Sequence, residues 1–271
     1  MSAALPGLFQ RDGWIFQPTS HALSPWGPGM LHGGACSGLL TYCLEQSLPD
    51  PNFHLLRITH DLFRPVPNGP LEARCTILRH GKRICVIEVC LLSERKEVAR
   101  STGLAAIPAD VDMPNNLPRK QGPPHKPDDF TSMRFGAMWK NEANPVPGLN
   151  SLVEMRLVEG MKFTGTGAAW MRIHACIIEN EAPSALGMFG PITDFGNGLA
   201  QVYLGNGIGM INADIDIHLW RYPQGDWFFL ESVNYVNDHG NGLINTNFSD
   251  AQGWIGQVSQ IVVSRKFTGA T

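Results

Sequence analysis

Hydrophobic and polar residues alternate most regularly over residues 210–220. In an extended chain, Ile211, Ala213, Ile215, Ile217 and Leu219 fall on one face, and Asn212, Asp214, Asp216 and His218 on the other. Similar strand-like runs cover 55–63, 71–78, 83–92 and 98–106. They recur over 152–157, 168–178, 227–236, 243–248 and 254–264. The turns between them carry His80-Gly81-Lys82, Glu94-Arg95-Lys96-Glu97, His239-Gly240-Asn241-Gly242 and Asp250-Ala251-Gln252-Gly253. Two stretches break the pattern. From His32, small residues lead into a segment apolar on nearly every side, which predicts a buried helix ending before Pro49. A second helix opens at Pro183-Ser184 and runs to about Phe195, with Gly196-Asn197-Gly198 near its end.

The order is therefore helix, then antiparallel meander, twice. Two segments show the repeat directly: Ile58-Thr59-His60-Asp61-Leu62-Phe63-Arg64-Pro65, and Ile215-Asp216-Ile217-His218-Leu219-Trp220-Arg221-Tyr222-Pro223. Aligned on Phe63 and Trp220, each leads into a strand-like run and a His-Gly turn, and Thr59 becomes the counterpart of Asp216. A repeat as long as a domain predicts a duplicated α+β fold. Each antiparallel sheet would wrap a central helix, and the copies would pack as an intramolecular pseudo-dimer. The expected division is 1–107, a Pro-rich surface linker over 108–150, and 151–271.

Composition narrows the function. The 271 residues are 43% hydrophobic, enough for a large core, and the net charge of −3 with a pI near 6.3 argues against a nucleic-acid partner. Neither a signal peptide nor a long apolar membrane span is read in the sequence. The six cysteines form no Cys-x-x-Cys or zinc-type spacing, so reduced thiols in a cytoplasmic protein are expected. Gly205-Asn206-Gly207-Ile208-Gly209 lies between a helix and a strand, the wrong context for a dinucleotide fingerprint.

Four pieces in this order resemble the acyl-CoA thioesterase II-like family of double-hotdog thioesterases. They are Leu31-His32-Gly33-Gly34, Asp61-Leu62-Phe63-Arg64-Pro65-Val66-Pro67 with Leu78-Arg79-His80-Gly81-Lys82, Asp216-Ile217-His218-Leu219-Trp220, and Ser259-Gln260 five residues before Arg265. The resemblance implies hydrolysis of an acyl-CoA to free acid and CoA, in fatty acid metabolism, without metal or organic cofactor. It implies an Asp, a Ser or Thr, and a Gln that together hold the attacking water. The acid and amide carry over to Asp216 and Gln260; the hydroxyl position falls on Asn234 or Tyr235, and an Asn234 amide can still orient water.

Thioester hydrolysis needs a proton acceptor for the water and donors for the oxyanion. The orphan amides of a helix tip at His32, Gly33 and Gly34 suit the second task. The plain alternatives are a surface Asp216 or one paired with Arg221, a solvated Gln260, a His32 that only caps the helix, and glycines that only admit close packing. Competing functions are a hotdog enoyl-CoA hydratase or dehydratase, which needs an acid and a His over the Cα–Cβ bond, and an acyl-CoA-binding module without catalysis. A homodimer through edge strands is also expected.

Overall fold

The computed structural model describes residues 5–25, 27–114, 116–139, 147–160, 162–205 and 207–266. Its first half holds β1 (Gly7–Asp12), β2 (Ile15–Pro18), β3 (Leu23–Ser24), β4 (Gly27–Leu31), α1 (Gly33–Gln46), β5 (His54–Asp61), β6 (Leu71–His80), β7 (Ile84–Ser93) and β8 (Lys96–Ala106). Next come β9 (Met133–Arg134), β10 (Val153–Gly160), β11 (Thr166–Ile173) and β12 (Cys176–Ile178). The second helical segment is α2 (Ala185–Phe189), a 3-10 stretch (Gly190–Phe195) and α3 (Gly196–Leu199). It is followed by β13 (Ile208–Asn212), β14 (Asp214–Leu219), β15 (Phe228–Val236), β16 (Asn241–Asp250) and β17 (Gly253–Lys266).

The two expected sheets are one. β5 pairs antiparallel with β14, so a continuous sheet runs β12-β1-β2-β6-β7-β8-β5-β14-β17-β16-β15-β11-β10-β9, with β13 also on β17. Outward from the joint the order is β5-β8-β7-β6 on one side and β14-β17-β16-β15 on the other, the same order of strands after each helix. Thr59 pairs directly with Asp216 across this joint. Repeat counterparts thus face each other across this joint. The first copy does not stand alone, however, because β1 runs parallel to β12 with Gly7 opposite Cys176.

α1 lies as expected, with the side chains from Ala35 to Leu44 all buried. It packs on the strands of its own copy and against the 3-10 stretch of the other. Glycines set the approach: a Cβ on Gly34 would sit 2.6 Å from the Pro191 carbonyl oxygen, and one on Gly38 would sit 2.6 Å from Ile177. The second helix is broken where the sequence predicts continuity. Gly190-Pro191 and the glycines at 196 and 198 are poor helix-interior residues, and the chain tightens to 3-10 between them.

The strand expected over 210–220 also breaks. Asn212 opposes Val262 but Asp216 opposes Ser259, so four residues here are matched by three on β17. This bulge reverses the facing of everything before it. Asn212 turns inward, with the buried Val262, while Asp214 and Asp216 remain on the outer face.

His60 on β5 is fully buried, with Nδ1 2.9 Å from Ser101 Oγ. Burial pushes its pKa from 6.5 down to about 3, against a smaller upward pull from Asp194. The folded protein therefore holds His60 neutral while the unfolded chain protonates it as pH falls below 6.5. Stability is lost progressively from that pH down to about 3, by on the order of 1 kcal/mol per pH unit. Urea unfolding of His60→Gln across this window is expected to show a shallower dependence on pH than the parent.

Candidate active site

The α1 tip meets the second helical segment inside a cavity of about 920 Å³, lined among others by Met30, Leu62, Val66, Phe135, Val202 and Met210. His32 caps α1: its Nδ1 accepts from the Gly34 amide at 3.0 Å. The same nitrogen lies 3.1 Å from Asp194 Oδ2, and Nε2 lies 2.9 Å from Asn150 Oδ1. Asp194 comes from the 3-10 stretch, so the pair joins the two copies. Both side chains are nearly enclosed, 11% and 8% exposed, yet both line the cavity.

Neighbours fix the acid from three sides. Asn212 Nδ2 donates to Asp194 Oδ1 and to the Asp194 backbone oxygen, a contact that exists because the bulge turns Asn212 inward. Gly33 supplies the space, since a Cβ there would sit 2.7 Å from Asp194 Oδ1. Phe195 stacks on the His32 ring with centroids 5.3 Å apart, and Phe135 packs edge-on against Phe195. The Gly33 and Ala35 amides, in the first turn, have no intrahelical acceptor and are the donors nearest the pair along the chain. Beside this carboxylate, Cys36 is fully buried, and burial first, then Asp194, push its thiol far above the ordinary range. It is not a nucleophile.

The chemistry of the pair follows from counting protons. The Gly34 amide only donates, so Nδ1 offers it a lone pair. A lone pair and a carboxylate oxygen 3.1 Å apart repel unless a proton lies between them. Among the described residues no cluster of three or more His, Cys, Asp or Glu side chains is arranged to hold a metal ion.

Of the residues expected from the sequence, His32, Gly33 and Gly34 come to this place. Gln260 faces inward and is fully buried, lying under α3, where a Cβ on Gly196 would sit 2.6 Å from its Oε1. Neither Gln260 Oε1 nor Nε2 has a partner among the described residues. Asn234, rather than the exposed Tyr235, is the inward member of its pair, in one row with Ile244 and Gln260, and its Nδ2 lies 3.6 Å from Met210 Sδ.

Asp216 does not join them. It sits on the outer face beside Thr59 and Ser259, and the register puts Ile215 opposite Gln260. The sheet lies between the Asp216 and Gln260 side chains, since neighbouring residues on a strand point to opposite faces. Arg221 does not pair with Asp216 either; it grips Asp250. Nearby Asp214 is pushed up chiefly by burial, and further by Asp216 and Asp61, against a hydrogen bond from the Ile261 amide.

Sequence reasoning passed over Asp194, Asn212, Asn150 and Phe135. For Asp194 a signal existed: a lone acid inside an otherwise apolar helical segment, Pro191-Ile192-Thr193-Asp194-Phe195. Phe135 and Asn150 fall in the stretch taken as a surface linker. Parts of that stretch instead fold onto the protein, with β9 pairing to β10 and Gly148–Leu152 packing near the α1 tip.

The family of acyl-CoA thioesterase N-terminal domains matches residues 22–106. No curated protein sequence matches the chain. Solved structures share the fold. A thioesterase II of Thermobifida fusca superposes with a TM-score of 0.72 at 15% identity, covering 97% of this chain and all of the other. The acyl-CoA thioesterase II TesB2 of Mycobacterium marinum gives 0.66 at 13% identity over 96% and 97% of the two chains. The dehydratase domain of the CurJ module of curacin polyketide synthase gives 0.52 at 10% identity over 97% of each. Residues 22–106 thus match the family of acyl-CoA thioesterase N-terminal domains, and along nearly its whole length the chain shares the fold of solved thioesterase II structures.

Proposed function

We propose that the protein hydrolyses an acyl thioester of CoA, or a related carrier, with His32 and Asp194 as its acid–base unit. The observation that carries this reading is the His32 Nδ1–Asp194 Oδ2 contact at a helix tip inside the cavity of about 920 Å³. In the proton-free form, Asp194 takes a proton from water as its oxygen attacks the thioester carbon. The tetrahedral oxyanion faces the orphan amides of the α1 tip, where Gly33 leaves the backbone uncovered. Collapse breaks the C–S bond, and the proton held between Oδ2 and Nδ1 goes to the leaving thiolate. Water supplies the hydroxyl of the product acid, so the step needs no other reactant. Gln260 and Asn234 stand behind this layer as buried amides that support water.

One observation favours a second reading. An acid and a His from opposite copies are also what hydration of a Cα–Cβ double bond requires, and the CurJ dehydratase domain shares the fold. Purified protein should release CoA from a series of saturated acyl-CoA esters in a thiol-trapping assay. Conversion of crotonyl-CoA to a hydroxyacyl-CoA without thiol release would transfer the assignment to a hydratase, and binding without either product would leave an acyl-CoA-binding protein. In the same assay Asp216→Asn is expected to stay within about twofold of the parent, as for a surface polar change away from the reacting atoms. A hundredfold loss would return the acid to the outer face.

A further inference from the structure

We infer that Asn150 is a positioning residue that sets the tautomer of His32. It reaches the site from a segment outside both helix-and-sheet repeats. Gly148, with φ of 79°, adopts a left-handed conformation, and a Cβ on it would sit 2.2 Å from the Leu23 carbonyl oxygen. The turn that follows is closed by Ser151, whose amide and hydroxyl both donate to the Gly148 oxygen. Leu149 is fully buried, and Asn150 beside it is only 3% exposed. A buried turn anchored this way delivers one amide side chain to one ring nitrogen.

The tautomer follows from what each neighbour can offer. The Gly34 N–H donates to Nδ1, which therefore needs its lone pair, and the neutral ring must then carry its hydrogen on Nε2. The acceptor for that hydrogen is Asn150 Oδ1, at 2.9 Å. Without it a buried N–H loses its partner, and the competing tautomer, with hydrogen on Nδ1, becomes accessible. That tautomer would set an N–H against the Gly34 N–H and lose the cap bond. Asn150 touches no reacting atom; it keeps the Nδ1 lone pair available by accepting from Nε2–H on the far side.

The assignment rests on the reading of His32 and Asp194 as the acid–base unit, but the tautomer can be read without turnover. Long-range proton–nitrogen correlation spectra of the full chain at mildly alkaline pH should show His32 Nε2 protonated and Nδ1 unprotonated. In Asn150→Ala the two nitrogen shifts should move toward each other, and Asn150→Asp, which keeps an acceptor, should restore the separation. With an acyl-CoA that the parent turns over, Asn150→Ala should lower kcat about tenfold to a hundredfold, as for a lost partner of a buried donor, with KM nearly unchanged. Asn150→Asp should recover most of the rate. A parent ring protonated on Nδ1, or an unchanged tautomer in Asn150→Ala, overturns the inference. Absence of turnover in the parent, with the nitrogen shifts as expected, would sink the hydrolase reading and leave the tautomer assignment standing.

Discussion

Replacing Asp194 by Asn should lower kcat by about 10²- to 10⁴-fold, the range expected when a positioned acid–base group loses its proton. The substitution keeps the shape of the side chain. Asn212 can still donate to the Oδ1 position, and an amide nitrogen placed at Oδ2 can donate to His32 Nδ1, so both contacts survive. What disappears is the ability to take a proton from water and pass it on. Unfolding midpoints of parent and variant should therefore lie close together while their rates differ by orders of magnitude. The comparison with Asp216→Asn is the sharper for being internal: the two acids sit on one chain, one lining the cavity and one outside the sheet. If Asp194→Asn keeps kcat within about threefold of the parent, His32 and Asp194 are not the acid–base unit.

The difference between these two acids also explains how much of the protein could be read in advance. The duplicated helix-and-meander order, the buried α1 and the strands of the first copy follow from hydrophobic periodicity, which local physics enforces. His32, Gly33 and Gly34 were legible because a cap residue followed by glycines has a local signature at a helix start. Asp216 follows from a resemblance to a family motif, and a motif does not see a bulge. One extra residue near Ala213 exchanges inside for outside, and it makes Asn212 a partner of the acid while leaving Asp216 on the surface. Asn150 and Phe135 were hidden for another reason. They sit in proline-rich sequence with no hydrophobic period, and only tertiary packing brings such a segment to a site. The single long helix predicted for the second copy fails at Gly190-Pro191, where close packing against α1 outweighs helix propensity.

The register that decides all this has a physical anchor, and breaking it should produce the largest loss of stability. The Asp250 side chain is wholly buried and accepts four hydrogen bonds: from both terminal nitrogens of Arg221, and from the Gln224 and Gln252 amides at 2.8 and 2.7 Å. Arg221 donates further to the Gly253 and Tyr222 carbonyls. The pair thus ties the turn between β16 and β17 to the residue just past the end of β14, where the Trp220 amide also donates to Ile255. Asp250→Ala removes one partner and leaves a largely enclosed guanidinium and two amides unsatisfied. Breaking a buried ion pair in this way costs about 3–5 kcal/mol, and in a chain of this size that corresponds to a fall in Tm of roughly 10 °C. Chemical denaturation should show a lower midpoint with an unchanged m-value, the mark of lost stability without a change in compactness. A loss below about 1 kcal/mol would mean that the ion pair is worth no more than an exposed one. The register of β14 on β17, and with it the placing of Ile215 rather than Asp216 opposite Gln260, would then be held by the hydrophobic face of β14 alone, through Ile215, Ile217 and Leu219.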